Sequence, residues 1–557
     1  MRSYLPKSVL CLRQYSLRKF LSDLIAGVTV GLVALPLAMA FAISSGVSPQ
    51  AGLYTAVVAG FLISAFGGSL TQIGGPTGAF VVVVHGIVSK YGLNGLFNCT
   101  LIAGMMLVGL GITGLGKAVR FIPRPVIVGF TNGIAVLIAS TQIKDFFGLK
   151  VENVPGEFLG RMQTLLSHFD TISWRATVLA SAGIVVILLC RRYLKRVPAY
   201  IVAMILGTAI VAFSGLAVET IGTRFGGIPQ GLPTFMLPRF QPDMIVPLFS
   251  PALTVALLGA IESLMSAVVA DRMSGDKHNP NVELVAQGIA NIAVPLFGGI
   301  PATGAIARTA TNIRAGAKTP VAGMIHAATL LCVLVFAAPL AQYVPLAVLA
   351  AILLVVSYYM GEWKEIPKLL KLTWADISVW AITFGLTVFA DLTVAVEVGI
   401  VLAALLYIHK VTNTTTVTRV TKEYVDDGWS HILQDKPIPE YVSVFRIHGP
   451  FLFGATEKIL HITDRLEELP PIVILRLRNM TAIDATGLQA LEDLADHLRA
   501  ANRTLILCGA PPQPTQLMRQ AEFEQHVGPA NICENFHAAI ERAIIAYFAT
   551  GSARRTA

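Results

Sequence analysis

The sequence predicts a polytopic α-helical membrane protein with a small α/β domain at its C-terminal end, and three observations carry that prediction. The chain of 557 residues is 54% hydrophobic and only 13% charged, about half the charge of an ordinary globular protein. So few charges could not cover the surface of a water-soluble chain this long. Between Asp23 and Asp145 lie 121 residues without a carboxylate, and they hold several apolar runs. Beyond Lys410 the character reverses, to short alternating strands and amphipathic helices. A soluble enzyme and a disordered scaffold are both excluded.

The net charge of +9 points to topology rather than to nucleic acid, because the basic residues flank apolar spans and do not interleave with aromatics. Arg13, Arg18 and Lys19 precede the first span, and Arg191, Arg192, Lys195 and Arg196 share one short loop. Cytoplasmic loops concentrate Lys and Arg in this way. The first apolar run passes signal-peptide length without an A-x-A site, so it reads as an uncleaved span. Six cysteines are scattered without CxxC spacing, which suits reduced or lipid-buried thiols better than a disulfide framework.

A bilayer core takes about 20 apolar residues per helix. After a cytoplasmic N-terminus of residues 1–22, residues 23–410 supply fourteen candidates. They start near residues 24, 51, 76, 99, 124, 176, 199, 250, 281, 304, 319, 345, 376 and 393. An even number puts both termini on one side, and the Lys/Arg bias makes that the cytoplasmic side of the cell (inner) membrane. Two candidates are broken. The third begins inside Thr71-Gln-Ile-Gly-Gly-Pro-Thr-Gly-Ala-Phe80, and the tenth inside Gly298-Gly-Ile-Pro-Ala-Thr-Gly-Ala305. These strings resemble each other, and each lies third in a set of seven. Broken segments at matching places in two halves point to a transporter's binding site. The alternative is that Gly and Pro here only let helices approach closely.

Residues 411–440 read as a polar linker and 441–557 as the α/β domain. Strands are predicted over 441–447, 471–478 and 504–509, and helices over 455–469, 487–500 and 535–548. Strands alternating with helices give a largely parallel sheet, and its place after the last span makes it cytoplasmic.

Buried charge is the next signal. Glu262 lies mid-way along the eighth span, where a charged side chain costs about 2.5–3.5 kcal/mol and is functional by default. Ser266, four residues on, and Gly259, three before, share its helical face. Glu262 is a proton or cation acceptor, or a carboxyl that hydrogen-bonds between helices. Arg308 sits about one turn beyond the second broken segment. Half-helix N-termini offer free N–H groups and partial positive charge, so two of them make an anion site without a basic side chain. Arg308 would add a full charge, neutralised by Glu262 when no anion is bound, unless it snorkels to the interface.

Other groups carry less. Asp391 and Glu397 fall at a turn near water, and Glu283 suits a helix N-terminus. His85 and His326 read as satisfied core histidines. Residues 111–118 nearly match a phosphate-binding loop, but Ala118 replaces the metal-binding hydroxyl and no buried strand precedes it. No ATPase, metal or cofactor is expected.

These residues carry a family resemblance. Residues 23–54, from Asp23-Leu-Ile-Ala-Gly to Gln-Ala-Gly-Leu-Tyr54, resemble the first-span signature of the SulP sulfate-permease family. Gly259-Ala-Ile-Glu-Ser-Leu264 and Ala307-Arg-Thr-Ala-Thr-Asn-Ile-Arg-Ala-Gly-Ala-Lys-Thr319 resemble its eighth- and tenth-span motifs. Asn479-Met-Thr-Ala-Ile-Asp-Ala-Thr-Gly-Leu488 resembles the STAS domain. Within the family the nearest likeness is to its DauA-type dicarboxylate transporters.

The resemblance implies an inverted 7+7 repeat, a core bundle moving against a gate bundle, and a homodimer. It implies an anion held between the third- and tenth-span N-termini, lined by Thr77, Gly78, Ala79, Thr303 and Ala307 beside Arg308. Glu262, with Ser266, would be the coupling site. Sodium-coupled bicarbonate members resemble this chain but carry Asp at the position of Glu262, which favours protons here. Some relatives have Gln where this chain has Leu37, leaving fewer polar groups near the substrate. Thr486 matches a regulatory phosphosite, although Asp484 or Thr486 as an ordinary helix cap fits equally, and a cytosolic protein partner could dock on the STAS domain. The expectation is a proton-coupled symporter of small dicarboxylates, not an enzyme. Sulfate or bicarbonate carriage, a channel-like conductor and a membrane anchor are the alternatives.

Overall fold

The computed structural model describes residues 5–12, 15–116, 123–151, 154–194, 198–228, 231–239, 241–390, 392–419, 438–463 and 466–555. Arg13, Lys117, Ala118, Lys195, Arg196 and Asp391 lie outside the described residues, as does the side chain of Glu397. The chain divides into two compact units, Met1–Val401 and Leu402–Ala557.

Helical segments stand at each of the fourteen predicted spans. The first is Leu17–Ser44 and the second Pro49–Phe66, while the third and fourth are the two arms of Gly78–Ile112. They part at Gly92, whose φ of 70° breaks the helix. The fifth to seventh are Arg124–Phe147, Trp174–Tyr193 and Ala199–Ser214. The eighth to eleventh are Ile245–Ser274, Pro280–Ala293, Ile306–Arg314 and Val321–Phe336. Leu346–Met360, Trp374–Phe389 and Leu392–Thr414 complete the set. The first span starts earlier than expected. Ser16 caps it by accepting from the Lys19 amide, so Arg18 and Lys19 stand in its first turn rather than before it. Arg191 and Arg192 likewise belong to the last turn of the sixth span.

Helix packing repeats across the halves. The first span packs on the eleventh, and the eighth packs on Gly78–Ile112, the helix that carries the fourth; the fifth packs on the thirteenth as the twelfth packs on the sixth. An inverted 7+7 repeat is the result, with spans 1–4 and 8–11 in a core bundle and spans 5–7 and 12–14 in a gate bundle. Small residues make the core contacts close, as in other membrane bundles. A Cβ on Gly27 would fall 2.5 Å from the Ala322 carbonyl oxygen of the eleventh span.

Two extended segments cross inside the core. β1 (Gly74–Gly75) pairs antiparallel with β2 (Thr303–Gly304), Gly74 opposite Gly304 and Gly75 opposite Thr303. Backbone at membrane depth must satisfy its polar groups within the protein. The pairing does this, extended by Ala305 N donating to Ile73 O at 2.8 Å and Ile73 N donating to Thr309 Oγ1 at 3.0 Å.

Buried polar groups tie the bundle elsewhere. Asp23 is fully buried and accepts from the amides of Lys318 and Thr319 at 2.7 and 3.1 Å, fastening the start of the eleventh span. Glu283 stands in the first turn of the ninth span as expected, and it is also fully buried, accepting from Gly68 N and Gln287 Nε2, both at 2.9 Å. His326 departs from expectation. It is buried, but neither ring nitrogen has a hydrogen-bond partner among the described residues.

The second unit is a five-stranded sheet in the order β3-β4-β5-β6-β7. β3 (Thr416–Arg419) is antiparallel to β4 (Val442–Phe451). β5 (Ile472–Ile483), β6 (Thr504–Cys508) and β7 (Ile532–Cys533) continue in parallel. β3 lies in the stretch expected to be linker, so the domain begins before residue 441; residues 420–437 are outside the description. Leu488, Leu491 and Leu498 of helix Ala485–Ala500 cover one face of the sheet, and Phe536, Ala539 and Ala543 of helix Phe536–Arg555 cover the other. That last helix outruns the predicted 535–548, and helix Pro512–Gln520 was not foreseen. All six cysteines are free. Burial pushes the Cys508 thiol up to about 12, which keeps it inert beside Cys533, its register neighbour.

Candidate functional site

The broken segments aim two helix starts at one cavity of about 280 Å³. Thr77, Gly78 and Ala79 of the third span line it, and so do Ala305, Ala307 and Arg308 at the tenth. Each helix start follows from its local sequence. Pro76 and Pro301 suit extended backbone and disfavour extending a helix back through them, and the glycines of β1 and β2 allow the two segments to cross closely. A Cβ on Gly304 would collide with the Gln72 side chain, and one on Gly75 would sit 2.7 Å from Arg308 Nη1. Neither N-cap residue, Thr77 or Ala305, makes a side-chain cap, so the partial positive charge of both helix starts is left to the cavity.

Glu262 enters the cavity from the eighth span, and its carboxylate accepts from Thr77 Oγ1 at 2.8 Å. Arg308 is only 3% exposed. One of its terminal nitrogens donates to the Pro76 carbonyl, and the other, Nη1, has no hydrogen-bond partner among the described residues. The two charges line the same cavity within Coulombic reach of each other, though no salt bridge joins them directly. Arg308 does not snorkel to an interface. A buried cationic donor without a partner is costly unless an anion visits it.

Three sequence-predicted residues stand elsewhere. Thr303 is fully buried and does not line the cavity; its hydroxyl donates to the Gly259 carbonyl at 2.8 Å. Ser266 is also off the cavity, its hydroxyl 3.0 Å from that of Thr309 on the tenth span. Both hold the tenth span against the eighth. Thr486 lies in the other unit, exposed in the first turn of helix Ala485–Ala500, where Asp484 is the cap and accepts from Gly487 N at 2.7 Å.

The gate side of the cavity was missed. Thr131 of the fifth span, Tyr200 of the seventh, Tyr359 of the twelfth and Glu362 beyond it line the cavity there, while Leu37 of the first span, already singled out in the sequence, lines it from the core side. Arg191 lies 3.7 Å from the centre of the Tyr359 ring. Hydroxyl-bearing residues scattered through apolar helices leave no motif, and only the Tyr358-Tyr359 pair hinted at a polar helix end.

An inverted repeat with two broken helices around a charged cavity defines a membrane transporter. The chain belongs to the sulfate permease family of anion transporters: that family's model matches residues 20–383, and the STAS domain model matches residues 434–539. It is 43% identical, over 92% of its length and 96% of the relative's, to YvdB of Bacillus subtilis (strain 168), named as a candidate sulfate transporter. It resembles the transmembrane domain of a cyanobacterial bicarbonate transporter, BicA, at 34% identity and a TM-score of 0.61. That match covers 70% of this chain and 98% of that one. The fold also matches SLC26A9 at a TM-score of 0.87 with 17% identity, covering 100% of this chain and 94% of that one.

Proposed function

We propose that this protein is a secondary active carrier of a small oxyanion of the sulfate or bicarbonate class, working by alternating access with Glu262 as its proton-coupling group. The observation that carries the reading is Arg308 Nη1, which has no hydrogen-bond partner among the described residues, in a cavity bordered by two helix starts without side-chain caps. The names of the relatives favour sulfate or bicarbonate over the DauA-type dicarboxylates that the sequence suggested. A dicarboxylate is the second reading, because Thr131, Tyr200 and Tyr359 place hydroxyls on the gate side where a second carboxylate would reach. The anion would sit at Gly78, Ala79 and Ala307 beside Arg308, with Thr77 orienting Glu262. A homodimer in the cell membrane with both termini cytoplasmic completes the proposal, and phosphate on Thr486 would suit the helix start it occupies.

Uptake of labelled sulfate, bicarbonate, succinate and fumarate into proteoliposomes tests the assignment. Saturable uptake of one inorganic oxyanion supports it. Uptake of a dicarboxylate alone transfers the site to the second reading, and currents far above carrier turnover would make the protein a channel.

A further inference from the structure

We propose that Arg161, His85 and the Gln142–Ser44 pair form the seal that closes the cavity from the opposite membrane face, and that Arg161 is its positioning residue. The inference rests on the carrier reading above. The cavity around Glu262 is lined by residues at the starts of the fifth and seventh spans and the end of the twelfth, all on the face where the first span begins. A second cavity, of about 620 Å³, is lined by Val82, Ser89, Lys90 and Tyr91 of the third span, with Glu157 and Phe389. The two share no lining residue, so a barrier stands between them.

Its parts come from both bundles. His85 of the third span lies against Gly46, in the turn after the first span, and against Gly156, in the segment after the fifth. A Cβ on Gly46 would sit 3.3 Å from His85 Nδ1, and one on Gly156 3.6 Å from Cδ2. His85 Nδ1 has no hydrogen-bond partner among the described residues, so this contact can part without breaking a bond there. One hydrogen bond crosses beside it, Gln142 Nε2 of the gate donating to Ser44 Oγ of the core at 3.0 Å.

Arg161, on helix Phe158–Ser167, is 1% exposed, and its donors all serve the gate side of the seam. Nη2 donates to Gly156 O at 2.6 Å, Nη1 to Ser140 Oγ at 2.9 Å, and Nε to Pro155 O at 3.3 Å. The guanidinium thus fastens the Gly156 segment to the fifth span and presents it to His85. A gate edge held rigidly against a ring whose Nδ1 has no hydrogen-bond partner among the described residues, with one bond alongside, closes firmly and opens at small cost.

The test uses the full chain in proteoliposomes of defined orientation, with the six native cysteines replaced and Ala307→Cys as reporter. Ala307 is exposed and lines the cavity around Glu262. A membrane-impermeant maleimide is applied from each face, without transported anion. Gln142→Ala should raise labelling from the opposite face about fivefold, the shift that one lost hydrogen bond supplies. Arg161→Lys should raise it further, and Gly156→Leu should raise it most by wedging the seam. Retained labelling from the N-terminal face certifies that each variant is folded. Unchanged labelling from the opposite face in all three folded variants overturns the proposal. Because no anion is present, failed transport leaves this result standing and sinks only the carrier reading.

Discussion

In the eighth span a carboxylate, Glu262, reaches the cavity; in the first span, its counterpart under the inverted repeat, Leu37 and Phe41 do so. The third and tenth spans differ in the same way, one bringing Thr77 and the other Arg308. Backbone symmetry therefore supplies two helix starts of equal sign, while the charged chemistry comes from one half. The halves are also cross-linked. Thr77 of the first half holds Glu262 of the second, and Arg308 of the second half holds the Pro76 carbonyl of the first. A change in either half is thereby felt at the other.

The comparison breaks most sharply at Glu262. Glu262→Gln keeps the size and removes the titrating group, so accumulation driven by a pH gradient should vanish while exchange of anion persists; labelled uptake with and without the gradient reads this. Arg308→Ala comes next. It removes a charged hydrogen bond, worth about 1.5–3 kcal/mol, and should cut uptake roughly 10- to 100-fold. Thr77→Val deletes the hydrogen bond to the Glu262 carboxylate and should cost about tenfold in rate, the low end for a bond to a charged group, measured with the same assay. Leu37→Gln would sharpen the asymmetry rather than break it, adding a polar group to the bare half and changing the ratio of sulfate to succinate uptake by less than the Thr77 effect. Smallest for transport is Asp484→Ala. Loss of that cap should destabilise its helix by about 1 kcal/mol, read as faster amide hydrogen exchange at 487–490, with uptake little changed.

The span starts were legible because twenty apolar residues and a Pro-Gly break are local signals. The cavity's core side was legible for the same reason: Thr77, Gly78, Ala307 and Arg308 follow the breaks directly. Thr303 and Ser266 were not, because a one-residue difference in a two-residue strand, or one turn of a helix, decides between facing the cavity and bonding a neighbour. β3 hid in a Thr-rich stretch whose strand character appears only when β4 pairs with it. The gate-side hydroxyls of Thr131, Tyr200 and Tyr359 depended on which faces the two bundles turn to each other, and one chain's periodicity carries no record of that. His326, read as satisfied, has no hydrogen-bond partner among the described residues, and its ring packs against Gly60 of the second span, a contact that no local pattern announces.

The most direct test of the central claim is proton entry into proteoliposomes loaded with a pH-sensitive dye, challenged in turn with sulfate, bicarbonate under a pH-matched control, succinate and fumarate. The account predicts acidification with one oxyanion and its loss in Glu262→Gln. Labelled uptake without acidification for any anion, or acidification that survives Glu262→Gln, would contradict it.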